Sequence, residues 1–577
     1  MRRPRALVLA RIAAAAPAPT AELPAAPIAV QLPALNDLHG NLRPVDGPAG
    51  AITRRKPDGT LESVQAGGVP QLAALLDRAR DGQSDTLTVG AGDMIGGSPL
   101  LSAAYHDEPT VDALDALGLD VTSVGNHEFD EGPAELLRMA HGGCHPEDGC
   151  SIPEHPYAGA HFPYLAGNVT YKGHDEPILP PYWITRLPSG PRIGFIGLTT
   201  RDTPQAVPAP YVRDLSFEDE VPRVDRYADE LDRQGVKAIV VLVHEGSPPP
   251  GPAYDDDCDT KGPASELRGR IRSIAAQASP KVDLFVTGHS HEAYVCHVRG
   301  PAGRERLVTQ AASFGRTYTD VRFTVDPATE DVVVDSARAR NHVVDRAGPE
   351  DPEVGKVVAD WEERSKALAD KPVGYIAGDL LGRGSTRPET PLGDPVTDGQ
   401  VEATRGDGAQ LALLNPGGMR ADLIYKASGN EGDGVVTYAE AFRVLPFHNG
   451  LITMTLTGDQ LLEALRQQFS GINETETRVL QLSSALRYSV DMKRAGADRL
   501  LADTVRVDGK PVMAGDNFRV TVNSFLADGG NGFTVFAAGT DRSGETTDTA
   551  SFAEYLQAYS TPTTPFAVPP ADRVTFL

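Results

Sequence analysis

Along roughly the first half of the chain, short apolar runs rich in β-branched residues recur, and each stops at a cluster of polar side chains. Residues 28–32, 86–90, 119–124, 192–198, 238–243 and 282–287 read as strands, several of them apolar on both faces. Between them, residues 69–80, 110–117 and 221–234 place apolar side chains at helical spacing. Strands alternating with helices predict an α/β fold with a largely parallel sheet and helices on its faces. Pro33 extends the first run but lacks a ladder donor, which suits a central strand badly.

The pattern changes near residue 345. Residues 349–369 carry Val354, Val357, Val358, Trp361 and Leu368 on one face of an otherwise polar stretch, the pattern of an exposed connector helix. Beyond Val373 the punctuation differs, with the turn-rich segments 415–420, 445–449 and 523–533. The expected division is a leader over 1–26, a first domain over 27–345, a linker helix over 346–371 and a second domain over 372–577. No internal repeat stands out.

Composition narrows the function classes. Hydrophobic residues make up 40% and charged residues 23%, as in a globular protein with a sizeable core. The formal net charge of -25 argues against a nucleic-acid polymer or an anionic membrane as partner, but leaves room for a small anionic substrate held by cations. Arg2, Arg3 and Arg5 precede an apolar stretch and an Ala/Pro-rich segment, which reads as a signal peptide despite Arg11 within it. No run reaches the roughly 20 apolar residues of a membrane span. The four cysteines, Cys144, Cys150, Cys258 and Cys296, suit an oxidising compartment. Of the three possible pairings we choose Cys144–Cys150 with Cys258–Cys296; zinc binding is the competing reading, but no CxxC pair is present. The acidic run 255–259 reads as a solvated loop, with calcium binding second.

The polar ends of the strands hold the chemistry. Asp37 and His39, Asp93, Asn126, His244, and His289 with His291 each follow one apolar run. Any one of them alone is an ordinary loop residue. Strands of one parallel sheet bring such ends into a common crevice, so together they form a ligand set. Imidazole, carboxylate and amide oxygen suit zinc, manganese or iron better than calcium, and Asp93 is the natural bridge between two ions. His127 and Asp130, three apart after the same strand end, pair an imidazole with a carboxylate able to orient it.

Taken in order, Asn-Asp-Leu-His-Gly at 36–40, Gly-Asp at 92–93, Gly-Asn-His-Glu at 125–128, His244 and Gly-His-Ser-His at 288–291 resemble the calcineurin-like metallophosphoesterases. The segments of the second half narrow the resemblance to the 5′-nucleotidase family, over roughly residues 28–577. It implies an N-terminal domain of β-sandwich-type sheets flanked by helices and a C-terminal α/β substrate-binding domain. It assigns Asp37, His39, Asp93 and His291 to one divalent ion and Asp93, Asn126, His244 and His289 to another, with zinc, manganese or cobalt as candidates. His291 stands where some relatives carry glutamine. His127 and Asp130 match the catalytic dyad.

In the second half, Phe447 and Phe525 match the aromatics that sandwich a base, and the glycines after Phe525 suggest close backbone approach to a ligand. Asn415, Arg420 and Asn449 match substrate-binding positions, as do Arg383 and Arg387 on the phosphate side. Asn531 replaces the family's ribose-binding aspartate, Pro391 and Asp394 replace common asparagines, and Ser484 replaces a glycine. The implied activity is hydrolysis of nucleoside 5′-phosphates by in-line attack of a metal-bound hydroxide, in the periplasm or outside the cell. A 2′,3′-cyclic-nucleotide phosphodiesterase/3′-nucleotidase and a UDP-sugar hydrolase are the rivals. A non-catalytic binding protein on the same scaffold has no need of the intact ligand set. The sequence leaves the oligomeric state open.

Overall fold

The computed structural model describes residues 26–577 except 154, 249–250, 257, 259–266, 430, 448, 475–476 and 545. The signal-like leader therefore lies outside the described residues, as do Asp257 and Asp259 of the acidic run and His448 of the segment 445–449.

The apolar runs build two sheets rather than one. In the first, strands Arg338–Val343, Thr317–Val325, Ile28–Leu35, Val89–Ala91, Val121–Ser123 and Tyr164–Leu165 lie side by side. The last four of these are parallel, and the first two are antiparallel to their neighbours. In the second, the order is Ala293–Arg299, Glu305–Ala311, Leu284–Thr287, Ala238–His244, Arg192–Thr199 and Tyr182–Arg186, with a parallel centre and antiparallel edges. Val30, Leu32, Val89 and Val121 of one sheet meet Phe195, Val240, Leu242 and Leu284 of the other across a buried core.

Helices cover the outer faces. Val69–Arg80, Glu108–Leu117 and Gly132–His141 lie over the first sheet, and Glu220–Arg233 and Gly269–Gln277 over the second. The expected single, largely parallel sheet is thus replaced by two mixed sheets packed face to face. A strand such as Ala238–His244 is buried throughout whether its inner face meets a helix or another sheet, so its apolar run does not distinguish the two. Pro33 does lie mid-strand, paired across from Asp320. Gln31 N donates to Asp85 O at 2.9 Å, but the neighbouring strand is broken between Thr86 and Val89. The ladder is interrupted where Pro33 has no donor to offer.

Helix Pro352–Ala369 starts at Asp351, whose carboxylate accepts from Glu353 N and Val354 N at 3.0 and 2.9 Å. Its apolar face buries Val354, Val358 and Trp361, and Trp361 Nε1 donates to Asp112. Beyond it, a five-stranded sheet runs in the order Gln481–Leu482, Leu411–Leu414, Asn517–Asn523, Leu451–Thr457 and Thr540–Ser543. Helices Gly393–Ala403, Gly458–Gln467 and Asp548–Tyr559 accompany it.

Both expected disulfides, Cys144–Cys150 and Cys258–Cys296, are formed. Asp256 of the acidic run is buried and ion-paired with Arg55 at 3.0 Å, so that part of the run is anchored rather than solvated. Among the described residues no helix is long and apolar enough to cross a membrane.

Candidate active site

Five loops leave the carboxyl ends of the parallel strands at one end of the sandwich, and they carry every donor named from the sequence. Asp37 and His39 follow Ile28–Leu35, Asp93 follows Val89–Ala91, Asn126 follows Val121–Ser123, His244 ends its strand, and His289 and His291 follow Leu284–Thr287. Asp37, His39, Asp93, His289 and His291 all hold left-handed backbone, with φ between 48° and 75°. Non-glycine residues rarely sit there, at about 1–3 kcal/mol each, and such conformations gather at functional sites. Gly125 is required for a different reason: a Cβ on it would stand 2.3 Å from Asp93 Oδ1.

Two groups of donors result. Asp37, His39, Asp93 and His291 form one and Asp93, His244 and His289 the other, with Asp93 common to both. Asn126 joins the second group, its Oδ1 lying 3.0 Å from His289 Nδ1. His39 Nδ1 donates to Gly96 O at 2.8 Å, which turns its Nε2 lone pair inward to face His291 Nε2 at 3.0 Å. Ligands at right angles around one ion, each about 2.1 Å away, stand about 3 Å apart. His244 Nδ1 lies 2.8 Å from Ala91 O, and its buried Nε2 has no hydrogen-bond partner among the described residues although Asp93 Oδ2 is 2.9 Å away. An orphaned buried imidazole nitrogen beside a carboxylate fits a cation, and the donor chemistry suits a zinc- or manganese-type ion.

Burial and the neighbouring carboxylates set the charges of these donors in opposite directions. Burial, with Asp93 adding to it, pushes Asp37 up to about 7. Burial also lowers His39 and His291 well below the usual imidazole range, so both stay neutral and able to ligate. His244 goes the other way, to about 10, because Asp93 and Asp37 outweigh its burial.

The turn carrying His127 and Asp130 sits beside this set. His127 Nδ1 meets Asp130 Oδ2 at 2.8 Å, and His127 N donates to Asp93 Oδ1 at 2.8 Å. Burial disfavours the imidazolium, but Asp130 and Asp93 override it and raise the His127 pKa. The sequence reading gave Glu128 no role. Its buried carboxylate accepts from Asp93 N at 2.9 Å, Met94 N at 2.8 Å and Gly125 N at 2.5 Å, bracing two ligand loops against each other. Burial and Asp93 raise it to about 7. No periodicity or spacing signals such a brace.

The second half supplies the opposite wall of a cavity of about 2450 Å³, which Arg383, Arg387, Asn415, Arg420, Phe447, Asn449, Phe525 and Asn531 all line. The Phe447 ring lies parallel to His127, 5.5 Å between centroids, with the Arg420 guanidinium 5.6 Å from its own centroid. Arg420 Nη2 is buried without a hydrogen-bond partner among the described residues. Arg383 Nη2 lies 3.3 Å from His291 Nδ1, whereas Arg387 donates to Pro570 O at 3.0 Å. Asn449 donates to the buried carboxylate of Asp548 at 3.2 Å.

Two expectations change. Gly530 makes room for the Phe525 ring itself, which a Cβ would meet at 2.5 Å, so this glycine serves packing rather than ligand approach. Asp394, standing for a family asparagine, is buried against Arg573 at 3.4 Å. Asn531 accepts through Oδ1 from Asn415 Nδ2 at 3.0 Å, and Asn415 Oδ1 accepts from Asn523 Nδ2 at 3.0 Å. The row starts at Leu526 N, which donates to Asn523 Oδ1. That backbone donor fixes the direction of every amide after it, and leaves Asn531 Nδ2 as the donor at its end.

Sandwich-end donors of this kind define a metal-dependent phosphoester hydrolase, and the chain belongs to the 5′-nucleotidase family of calcineurin-like metallophosphoesterases. Residues 34–293 match the calcineurin-like phosphoesterase family and residues 372–538 the 5′-nucleotidase C-terminal domain. The 5′-nucleotidase precursor of Thermus thermophilus superposes with a TM-score of 0.75 at 27% identity, over 95% of this chain and 99% of that one. The cell wall protein Lmo0130 of Listeria monocytogenes is 29% identical, over 93% of this chain and 68% of its own. Endonuclease YhcR of Bacillus subtilis is 30% identical over 87% of this chain, which spans only 37% of that longer protein.

One prediction follows from the dyad. His127 holds its proton more tightly than a free imidazole of pKa about 6.5, so its contribution to stability is complete below that pH and is lost as pH rises through the folded value. Asp130→Asn removes the nearest carboxylate, and NMR titration of the metal-free variant is expected to show His127 titrating lower than in the wild type. An unchanged titration rules out Asp130 as the cause of the shift.

Proposed function

We propose that this chain hydrolyses nucleoside 5′-phosphates to nucleoside and phosphate as an exported enzyme. The observation that carries the reading is the meeting, in one cavity, of Asp93, Asn126, His289 and His291 of the donor set and the His127–Asp130 pair on one wall with Phe447, Phe525 and Arg420 on the other. Asp37, His39, Asp93 and His291 would hold one divalent ion, and Asp93, Asn126, His244 and His289 a second. Such a pair, when bound, supplies Lewis acidity toward phosphoryl oxygens and an activated water.

The chain's own residues do the rest. Asp130 keeps the His127 imidazole protonated and aimed, so His127 Nε2 can donate to an oxygen of the phosphoryl group as charge gathers there. Arg420 Nη2 offers a second, unspent donor. Phe447 and Phe525 give flat faces for a base, each adding about 1 kcal/mol by stacking. Asn531 offers the ribose a neutral amide donor. Two disulfides and the likeness to a cell wall protein support a location outside the cytoplasm, either periplasmic or secreted.

The cavity volume favours a second reading. About 2450 Å³ exceeds the roughly 300–1,000 Å³ of a small-ligand site, leaving space for a larger substrate such as a UDP-sugar. A phosphate-release screen separates these readings, using AMP, other nucleoside monophosphates, 2′,3′-cyclic nucleotides and UDP-glucose with Mn²⁺, Zn²⁺ or Co²⁺. AMP-class substrates are expected to lead, and chelator to abolish release until metal is returned. Full turnover in metal-free protein, or turnover of cyclic nucleotides alone, defeats the proposal.

His127→Ala is expected to lower kcat by about 10²–10⁴-fold with bound metal unchanged. Loss of metal in that variant makes His127 a ligand instead.

Asn531 gives the sharpest specificity test. Its carbonyl is already taken by Asn415, so it faces the sugar as a donor. Asp528, the nearest carboxylate in sequence, stands 3.6 Å from Arg542. Asn531→Asp keeps the Asn415 bond on one oxygen and turns a charged acceptor to the ribose. Hydrogen bonds to charged groups exceed neutral ones by about 1 kcal/mol, so kcat/KM for AMP should rise about fivefold, and less for dAMP. An unchanged AMP/dAMP ratio removes residue 531 from sugar recognition.

A further inference from the structure

Outside the donor set already described, one cluster of imidazoles and carboxylates has no assigned part. His106 lies in the turn between helices Leu100–Ala103 and Glu108–Leu117. Glu131 comes directly after Asp130 and before helix Gly132–His141. His145 and Asp148 belong to the small loop closed by Cys144–Cys150. We propose that His106, Glu131 and His145, with Asp148 beside them, form a further metal site on the cavity rim that takes a zinc-type divalent ion.

The geometry supports this directly. Donor atoms of His106, Glu131 and His145 all lie within 4.8 Å of one another, and the group shares no residue with the other two donor sets. His106 Nδ1 is 2.7 Å from Glu131 Oε2, and His106 Nε2 is 3.1 Å from Asp148 Oδ2, which is itself 3.5 Å from His145 Nδ1. The two imidazole side chains are only 17% and 14% exposed, while the Glu131 and Asp148 carboxylates, 44% and 69% exposed, open the cluster to solvent at the rim. Two imidazoles with one or two carboxylates form the mixed nitrogen and oxygen set that zinc accepts, with water completing the shell.

The rival occupant is a proton. Without an ion, His106 must be an imidazolium donating to both Glu131 and Asp148; burial opposes that charge, and Glu131 overrides it. A proton on His106 leaves His145 stacked on it, with ring centroids 3.9 Å apart and planes 9° from parallel, and uses none of its metal-binding capacity. A dication offsets both carboxylates and also uses the second imidazole. Binding takes His145 out of the stack and gives the ion its Nδ1 lone pair, which now accepts Asp148 N–H at 3.1 Å.

The position gives such an ion a task. It would tie the disulfide loop to the turn that carries His127 and Asp130. It would also fix Asp107, whose carboxylate accepts from Gly96 N at 3.0 Å, and Gly96 O in turn meets His39 Nδ1 at 2.8 Å. The rim ion would steady both flanks of the donor set without touching substrate.

Zinc content per chain tests this on the full-length protein, loaded with zinc, dialysed and measured by elemental mass spectrometry. Wild type is expected to hold one zinc more than the two of the proposed centre. His106→Ala and His145→Ala are each expected to lose one equivalent while nucleotide hydrolysis is retained. Asp93→Ala should lose the central ions and keep the rim ion, which separates failure here from failure of the proposed function. The expected zinc-dependent rise in melting temperature of Asp93→Ala should vanish when His145→Ala is added. A zinc content that neither histidine variant changes means that a proton alone fills the cluster, and overturns the site.

Discussion

The Asp93 carboxylate is the constraint around which this protein is built. One oxygen stands 2.9 Å from His244 Nε2 and 3.6 Å from His39 Nε2, while the other receives His127 N–H at 2.8 Å. It is 1% exposed, so its charge has no water to lean on. An isolated buried carboxylate is costly, and this one lies near a second, Asp37. The fold must therefore compensate it from several sides at once: Asp93 holds His244 and His127 toward their protonated forms, while His39 faces it as a neutral imidazole. Asp93 gathers imidazoles from three other loops, and the same gathering makes both donor groups share it.

Placing those loops takes strain and bracing. Five non-glycine ligand-type residues adopt left-handed backbone, which the loops hold only because the sandwich beneath is rigid and fully packed. Glu128 then locks the loop of Asp93 to the loop of Gly125 through backbone amides. It is an interior acid used as a fastener, with its negative charge raising the demand for cations nearby. Chemistry and architecture are therefore not separable at this end of the molecule: removing the brace leaves buried amides unpaired, at about 1–3 kcal/mol each, as well as loosening ligands.

The sequence made the strand ends legible because each apolar run is long enough to be buried and each stops abruptly at a polar donor. The donor set and the dyad could be named on that basis and on the family resemblance, and the disulfide pairings from the number and spacing of the cysteines. What lay beyond reach depended on the third dimension. A run apolar on both faces does not say whether its partner is a helix or a sheet, so the sandwich arose only from the resemblance. Pro33 looked misplaced because the gap in the neighbouring strand that accommodates it is a tertiary fact. Gly530 looked like a ligand contact because the ring that fills its space, Phe525, lies five residues away in sequence but directly against it in space. The rim cluster drew residues from three separate segments, none of which carries a motif.

The two walls of the cavity obey different physics. On the sandwich side, buried charges fix one another, and any change in one donor is felt by the rest. On the other side the row Leu526–Asn523–Asn415–Asn531 transmits only polarity: a single backbone N–H sets the direction of three neutral amides, and the last of them lines the cavity. Neutral hydrogen bonds contribute about 1 kcal/mol each, far less than buried charge pairs, so this wall can be altered without unsettling the opposite one. Phe447 bridges the two, stacked on His127 and faced by Arg420. Under the proposed function, substitutions in the soft wall would alter substrate preference while the hard wall keeps the same reaction.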